Sequence, residues 1–289
     1  VDEEGFVRAM EEQKQKARDN QSFSARLSTD TALYDELDEN LVSEFTGYDT
    51  LQAESSVAAI ASDGKWQDVL SEGQEGTIIT VKTPFYATMG GQKGDFGVIK
   101  TADGTFEVID TVKVPGGRIG HIGKVVSGTI KKDAKADLSV SSLNRGNTCK
   151  NHTATHLLQE ALREVLGDHV EQSGSYQDGE RTRFDFSHGQ AMTTEELKKV
   201  EEIVNAKIAE DLPVETKVMS LEEAKKTGAM ALFGEKYGDT VRVVMIGDFS
   251  RELCGGTHVG HTGEIASFKI LSESGVAAGV RRIEAITGN

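Results

Sequence analysis

The sequence has only two cysteines in 289 residues, which excludes a disulfide framework and fits a reducing compartment. It has no apolar run of about 18 residues, so no helical membrane span and no membrane partner are expected. Its first twenty residues are charged and carry no apolar core segment, so no secretory signal is read there. A cytoplasmic location follows as the expectation. Internal repeats and low-complexity tracts are absent. Basic charge is scarce: the net charge of −15 argues against indiscriminate nucleic-acid binding. The chain begins at Val1 within a helical pattern, so we expect a fragment of a longer protein, monomeric on its own.

The length suggests two domains. At 37% hydrophobic and 27% charged, the composition is that of a soluble globular chain. Charge is unevenly placed. Residues 1–60 hold 14 acidic and 5 basic side chains. Residues 111–150 hold Lys113, Arg118, Lys124, Lys131, Lys132, Lys135, Arg145 and Lys150 against Asp133 and Asp137. That local excess could meet a polyanion, although on charge alone an ordinary solvated face is the better reading.

Residues 3–20 read as a polar helix with Phe6, Met10 and Ala17 on one face, and 21–43 as an acidic connector. From Glu44, short apolar runs at 56–61, 77–82, 97–100, 106–112 and 121–126 alternate with turn signals such as Asp63-Gly64, Asp103-Gly104 and Gly116-Gly117. These predict a small antiparallel barrel ending near Leu143. The remainder mixes elements. Strands are expected at 174–177, 181–187, 213–219, 240–246, 265–270 and 282–287. Capping boxes at Thr193/Glu196 and Ser220/Glu223 open two helices, and a short helix is expected near 275–280. The fold class is therefore α+β: a linker helix and connector (1–43), a small β-barrel (44–143) and a two-layer α/β domain (144–289).

In the last of these, Asn151 to Leu158 places His152 and His156 four residues apart, and Leu158, Ala161, Leu162 and Val165 continue at helical spacing. The two imidazoles share one helical face, roughly opposite the apolar stripe, and can grip one metal ion. By spacing alone such a pair is more often not a metal site. A second pair, Cys254 and His258, lies 98 residues beyond His156. Three imidazoles and one thiolate form a ligand set suited to zinc, provided the fold brings the halves together. A metalloprotease is disfavoured because Thr153, not Glu, follows the first histidine. Asp185 and His188 could form an acid/base pair, but at a strand end they are more often structural.

The words NHTATHLL (151–158), HVEQSGSY (169–176), RFDFSH (183–188), GAMALFGEKYGD (228–239), ELCGGTH (252–258) and GVRRIEAITG (279–288) closely resemble the editing domain of the alanyl-tRNA synthetase family. TPFYATMGGQKGD (83–95) resembles the barrel of the same family, and the polar helix its linker. The resemblance implies hydrolysis of serine or glycine wrongly attached to tRNA(Ala), with the remainder of the synthetase as partner. It carries the zinc ligands onto His152, His156, Cys254 and His258, and the editing glutamine onto Gln172. It places Gly90, Gly91 and Gln92 in the barrel, on the RNA side of the site. Two positions depart from the family pattern. Thr88 and Met89 replace a common Glu-Ser pair, and Gln159 stands where many relatives have histidine.

An amino acid esterified to ribose is already activated, so a positioned water suffices for hydrolysis. Zinc with an open position would lower the pKa of bound water to about 7; four protein ligands would close that position. Either Cys254 yields to water or the metal mainly orders the site. Alanine differs from serine by one hydroxyl, and a site that hydrogen-bonds a hydroxyl can reject its absence by roughly 10⁴-fold, against about 10–200-fold for a methylene. Gln172 and a threonine beside the histidines are therefore expected to contact the aminoacyl group. On the helix Thr153 and Thr155 are both offset from the histidine face, and Thr155 is the one expected. A zinc-stabilised tRNA-binding module without hydrolytic activity is the competing class.

Overall fold

The computed structural model describes residues 31–231 and 236–288. The polar helix expected at 3–20 lies outside the described residues. Contacts divide the chain into two compact units: residues up to Ala87 with Phe96–Ser139, and Thr88–Asp95 with Val140 onward.

The first unit contains β1 (Glu44–Phe45), β2 (Gln52–Ser62), β3 (Lys65–Trp66), β4 (Val69–Ser71), β5 (Glu75–Thr80), β6 (Lys82–Thr83), β7 (Gly97–Lys100), β8 (Gly104–Val114), β9 (Arg118–Lys131) and β10 (Lys135–Val140). Six strands close a barrel in the order β2-β5-β9-β8-β7-β10, with β10 returning to β2. That closing pair runs antiparallel from Lys135↔Ser56 to Ser139↔Gln52. Sequence reading omitted β10, although Ala136, Leu138 and Val140 alternate inward with Lys135, Asp137 and Ser139 turned outward or half-buried. β9 is longer than expected because Gly123 and Gly128 and the outward Lys124 and Ser127 dilute its apolar signal. The core is aliphatic and aromatic, with Val57, Ile60, Ile78, Phe85, Phe106 and Ile130 fully buried.

Two features of this unit were not legible as packing. Part of the acidic connector is docked on the barrel: Arg118, buried, donates to the carbonyls of Leu41 (2.7 Å), Asp38 (2.8 Å) and Pro115 (2.9 Å). His121 is buried inside the barrel. Its Nδ1 donates to the Ile78 carbonyl (2.8 Å), so Nε2 accepts from the Thr83 hydroxyl (2.7 Å). Burial pushes its pKa down to about 4.

The second unit is built on α1 (Ser142–Leu166), which Ser141 caps by accepting from the Asn144 amide and which ends at Gly167. α2 (Thr194–Ala209) and α3 (Leu221–Lys226) open with the two expected capping boxes. β11 (Gln172–Gln177), β12 (Thr182–Ser187), β16 (Phe268–Ala277) and β17 (Val280–Thr287) form an antiparallel sheet ordered β11-β12-β17-β16. β13 (Val214–Ser220), β14 (Thr240–Ile246) and β15 (Ser250–Leu253) form a second antiparallel sheet. Leu158, Ala161 and Leu162 of α1 pack with Val200 and Val204 of α2 against Phe184, Phe186 and Ile283 of the larger sheet. This is the two-layer α+β arrangement expected.

Two expectations in this unit are corrected. The helix near 275–280 is a hairpin: β16 and β17 pair Ala277 with Val280, and the intervening turn uses Gly279 at φ +72°. Its small residues imitated helix-forming composition. The strand at 265–270 begins only at Phe268; Thr262–Ile265 is a 3₁₀ turn.

Candidate metal centre

α1 presents His152 and His156 one turn apart, their rings stacked at 5.3 Å and 17°. The loop after β15 carries Cys254 and His258 to the same place. One potential ligand atom from each of the four residues lies within 4.8 Å of every other. Cys254 Sγ is 3.5 Å from His152 Nε2 and 3.3 Å from His258 Nε2. Tetrahedral zinc with bonds of about 2.0–2.1 Å to nitrogen and about 2.3 Å to sulfur separates such atoms by about 3.6 Å. His156 Nε2 is buried and without a hydrogen-bond partner. A buried orphan nitrogen is costly unless something takes its lone pair, and a metal ion would. The residues present therefore fit a zinc-like ion.

Each imidazole is oriented from behind through Nδ1. His152 Nδ1 is 2.9 Å from Gln92 Oε1, His156 Nδ1 3.0 Å from Glu252 Oε1, and His258 Nδ1 3.0 Å from Thr153 Oγ1. The amide oxygen and the carboxylate only accept, so His152 and His156 carry their protons on Nδ1 and turn the Nε2 lone pair inward. Removal from water would raise the Cys254 thiol, but the surrounding imidazoles of His152, His258 and His156 hold it well below the usual range. Burial, then His152, pushes His258 down to about 3. Burial opposes a charged His156, yet Glu252 and Cys254 raise it well above its ordinary value. A thiolate and a neutral imidazole are the forms that bind metal, so an ion binding here would displace the second proton that Glu252 and Cys254 favour on His156.

The 254–258 loop is pinned on several sides. Arg242 of β14 donates to the carbonyls of Cys254 (3.2 Å) and Gly256 (2.6 Å). Thr257 donates its amide to Gln92 Oε1 (2.8 Å) and accepts from Gln92 Nε2 (2.7 Å). Val259 donates to Thr153 Oγ1 (3.2 Å). Gly256 is required here, because a Cβ would stand 2.8 Å from Gln92 Oε1 and closer still to the His152 ring.

The predicted site residues are placed as follows. His152, His156, Cys254 and His258 come together. Thr153, rather than Thr155, reaches a donor; Thr155 bonds the Asn151 carbonyl (2.8 Å) and the Thr182 hydroxyl (2.5 Å). Gln172 is half-buried at the start of β11, paired with Phe186. The site instead meets the far end of that strand, where Gln177 exchanges backbone bonds of 2.8 Å with Gly91 and Lys93. Gly90 is exposed and Gly91 half-buried, but Gln92 is fully buried among the donors. These three residues belong to the second unit, not the barrel unit. Asp185 and His188 do not pair: Asp185 accepts from Arg282 at 2.7 and 2.8 Å, and His188 meets His169 at 2.8 Å. Thr88 accepts from the Gly94 amide (2.8 Å), and Gln159, buried, donates to Met230 Sδ (3.1 Å).

Sequence reading missed Glu252, Arg242 and the inward role of Gln92. A signal existed for Glu252, since it stands two residues before Cys254 and strand alternation puts both on one side. Among the described residues, no helix is long and apolar enough to cross a membrane.

Comparison with known proteins gives concordant matches at both ends. The family model described as tRNA synthetases class II (A) matches residues 1–143. The one described as threonyl and alanyl tRNA synthetase second additional domain matches residues 241–284, which include Cys254 and His258. The Alanine--tRNA ligase 1 of Lachnoclostridium phytofermentans is 54% identical across the whole chain, and the chain spans 33% of that protein's length. The sequence words, the domain matches and the identity along this chain agree: the chain belongs to the alanyl-tRNA synthetase family.

Proposed function

We propose that this chain is the editing part of an alanyl-tRNA synthetase and hydrolyses serine or glycine from mischarged tRNA(Ala). The observation that carries the reading is the convergence of His152, His156, Cys254 and His258 within 4.8 Å, in a chain that also matches the second additional domain. Zinc is the proposed ion, held by those four residues. When bound it supplies positive charge and a fixed frame for the loop and helix around it. Four protein donors would complete a tetrahedral shell, which favours an organising role for the metal.

The chain's own residues then bind and position. In this reading Gln172 polarises the ester carbonyl or orients water, in keeping with its place in HVEQSGSY. Thr155 is the threonine that the reading assigns to the aminoacyl group, although its hydroxyl is engaged with Asn151 and Thr182. Gly90 is exposed and could approach RNA, whereas the Gln92 side chain could not do so without leaving its buried position. A cavity of about 490 Å³ lined by Glu160, Arg163, Asp168, Met230, Phe249 and Arg251 includes none of the four donors and is not assigned to substrate.

The presence of four candidate donors, enough to close a zinc shell, also favours a second reading, a zinc-stabilised tRNA-binding module. Incubating the zinc-loaded chain at micromolar concentration with serine-charged tRNA(Ala), without ATP, separates them. Release of serine above the spontaneous rate supports hydrolysis; tRNA binding without release supports the module. Binding should weaken as salt rises, because phosphate contacts release counterions.

A further inference from the structure

Gln92 stands 60 residues before His152 and 165 before Thr257, yet its amide is used from both sides inside the second unit. Oε1 accepts the His152 Nδ1–H (2.9 Å) and the Thr257 amide (2.8 Å), and Nε2 donates to Thr257 Oγ1 (2.7 Å). Two donors converging on Oε1 fix which way the amide faces. The side chain is fully buried. The backbone around it is seated too: Lys93 donates to the Gln177 carbonyl and Gln177 to the Gly91 carbonyl, both at 2.8 Å. Gly91, at φ +88°, comes so near Ser175 that a Cβ would lie 2.7 Å from its carbonyl oxygen and closer to its hydroxyl.

We propose that Gln92 is a positioning residue that joins the Thr88–Asp95 segment to the metal centre, so that metal binding and seating of this segment are cooperative. The inference rests on the metal reading above. Gln92 holds His152 in the form whose Nε2 lone pair faces the other donors, and through Thr257 it fixes the loop between Cys254 and His258. If the segment leaves, the His152 Nδ1–H and the Thr257 amide lose their acceptor in a buried site. By linkage, an ion that holds His152 and the loop in place must favour the seated segment to the same degree. The glycine-containing turn at Gly90–Gly91 is thereby set in position by the metal centre.

The test measures zinc affinity by chelator competition in the wild-type chain, Gln92→Leu and Gln92→Glu, and amide exchange at residues 88–95 with and without zinc. Removing such an orienting partner typically costs about 10–100-fold in metal affinity. Gln92→Leu is expected to lose that much. Gln92→Glu keeps an acceptor for both donors and is expected to stay within a few-fold of wild type. In the wild type, the Lys93 and Gly94 amides should exchange at least about ten-fold faster after zinc removal, and in Gln92→Leu zinc should no longer protect them. Equal affinity in wild type and Gln92→Leu, or wild-type exchange at 88–95 that ignores zinc, overturns the proposal. The wild-type exchange arm remains decisive if Gln92→Leu fails to fold. A wild-type chain that binds no zinc instead defeats the metal reading beneath it.

Discussion

Glu252 holds His156: a carboxylate oxygen stands 3.0 Å from Nδ1, with the two side chains only 7% and 10% exposed. The bond turns Nε2 toward Cys254 and the other histidines. It also balances charge, since one divalent cation, the Cys254 thiolate and the Glu252 carboxylate sum to zero in a site screened from water. Glu252→Leu removes orientation and charge together and should weaken zinc binding by about 10–100-fold. Glu252→Gln keeps an acceptor for Nδ1–H and should lose less. Chelator competition on both variants checks the order, and equal losses would contradict the orienting role.

Gln172 and Cys254 should separate chemistry from metal. Gln172 is remote in the hydrogen-bonding pattern from the four donors, so Gln172→Met should leave about one zinc per chain. If it polarises the ester, serine release should fall by about 10²-fold. Cys254→Ala should lower both zinc content and release. Elemental analysis alongside serine and alanine release reads all of this. Full and selective release by Gln172→Met would remove Gln172 from the mechanism.

His121 makes barrel stability depend on acid. Burial pushes its folded pKa down to about 4 from the ordinary 6.5, so folding favours the neutral ring. Stability is then fully present above about pH 6.5, falls as the unfolded chain takes up a proton, and levels off below about pH 4. The shift corresponds to about 3 kcal/mol at the low end. His121→Gln should flatten this part of the pH profile in denaturant unfolding. An unchanged slope between pH 6.5 and 4 would show that other groups dominate it.

Much of this architecture was legible from local pattern. Thr240–Ile246 is β-branched and has the expected bounds, and both capping boxes form as spaced. The four donors were legible because their chemistry is rare in the chain. What surrounds them was not. Gln92 acts across 60 and 165 positions, and no local period marks such a contact. A helical wheel gave the angles of Thr153 and Thr155 but not the side from which the 254–258 loop arrives, and that loop meets Thr153. The hairpin at Ala277–Val280 was misread because Gly275, Ala277, Ala278 and Gly279 carry little pattern of either kind.

The most direct measurement is a zinc titration of the chelator-stripped chain, following serine release from mischarged tRNA(Ala) with alanine-charged tRNA in parallel. The account predicts that serine release rises with zinc, saturates near one equivalent per chain, and leaves alanine attached. Serine release that stays at the spontaneous rate at every zinc level, or that is full without zinc, would contradict it.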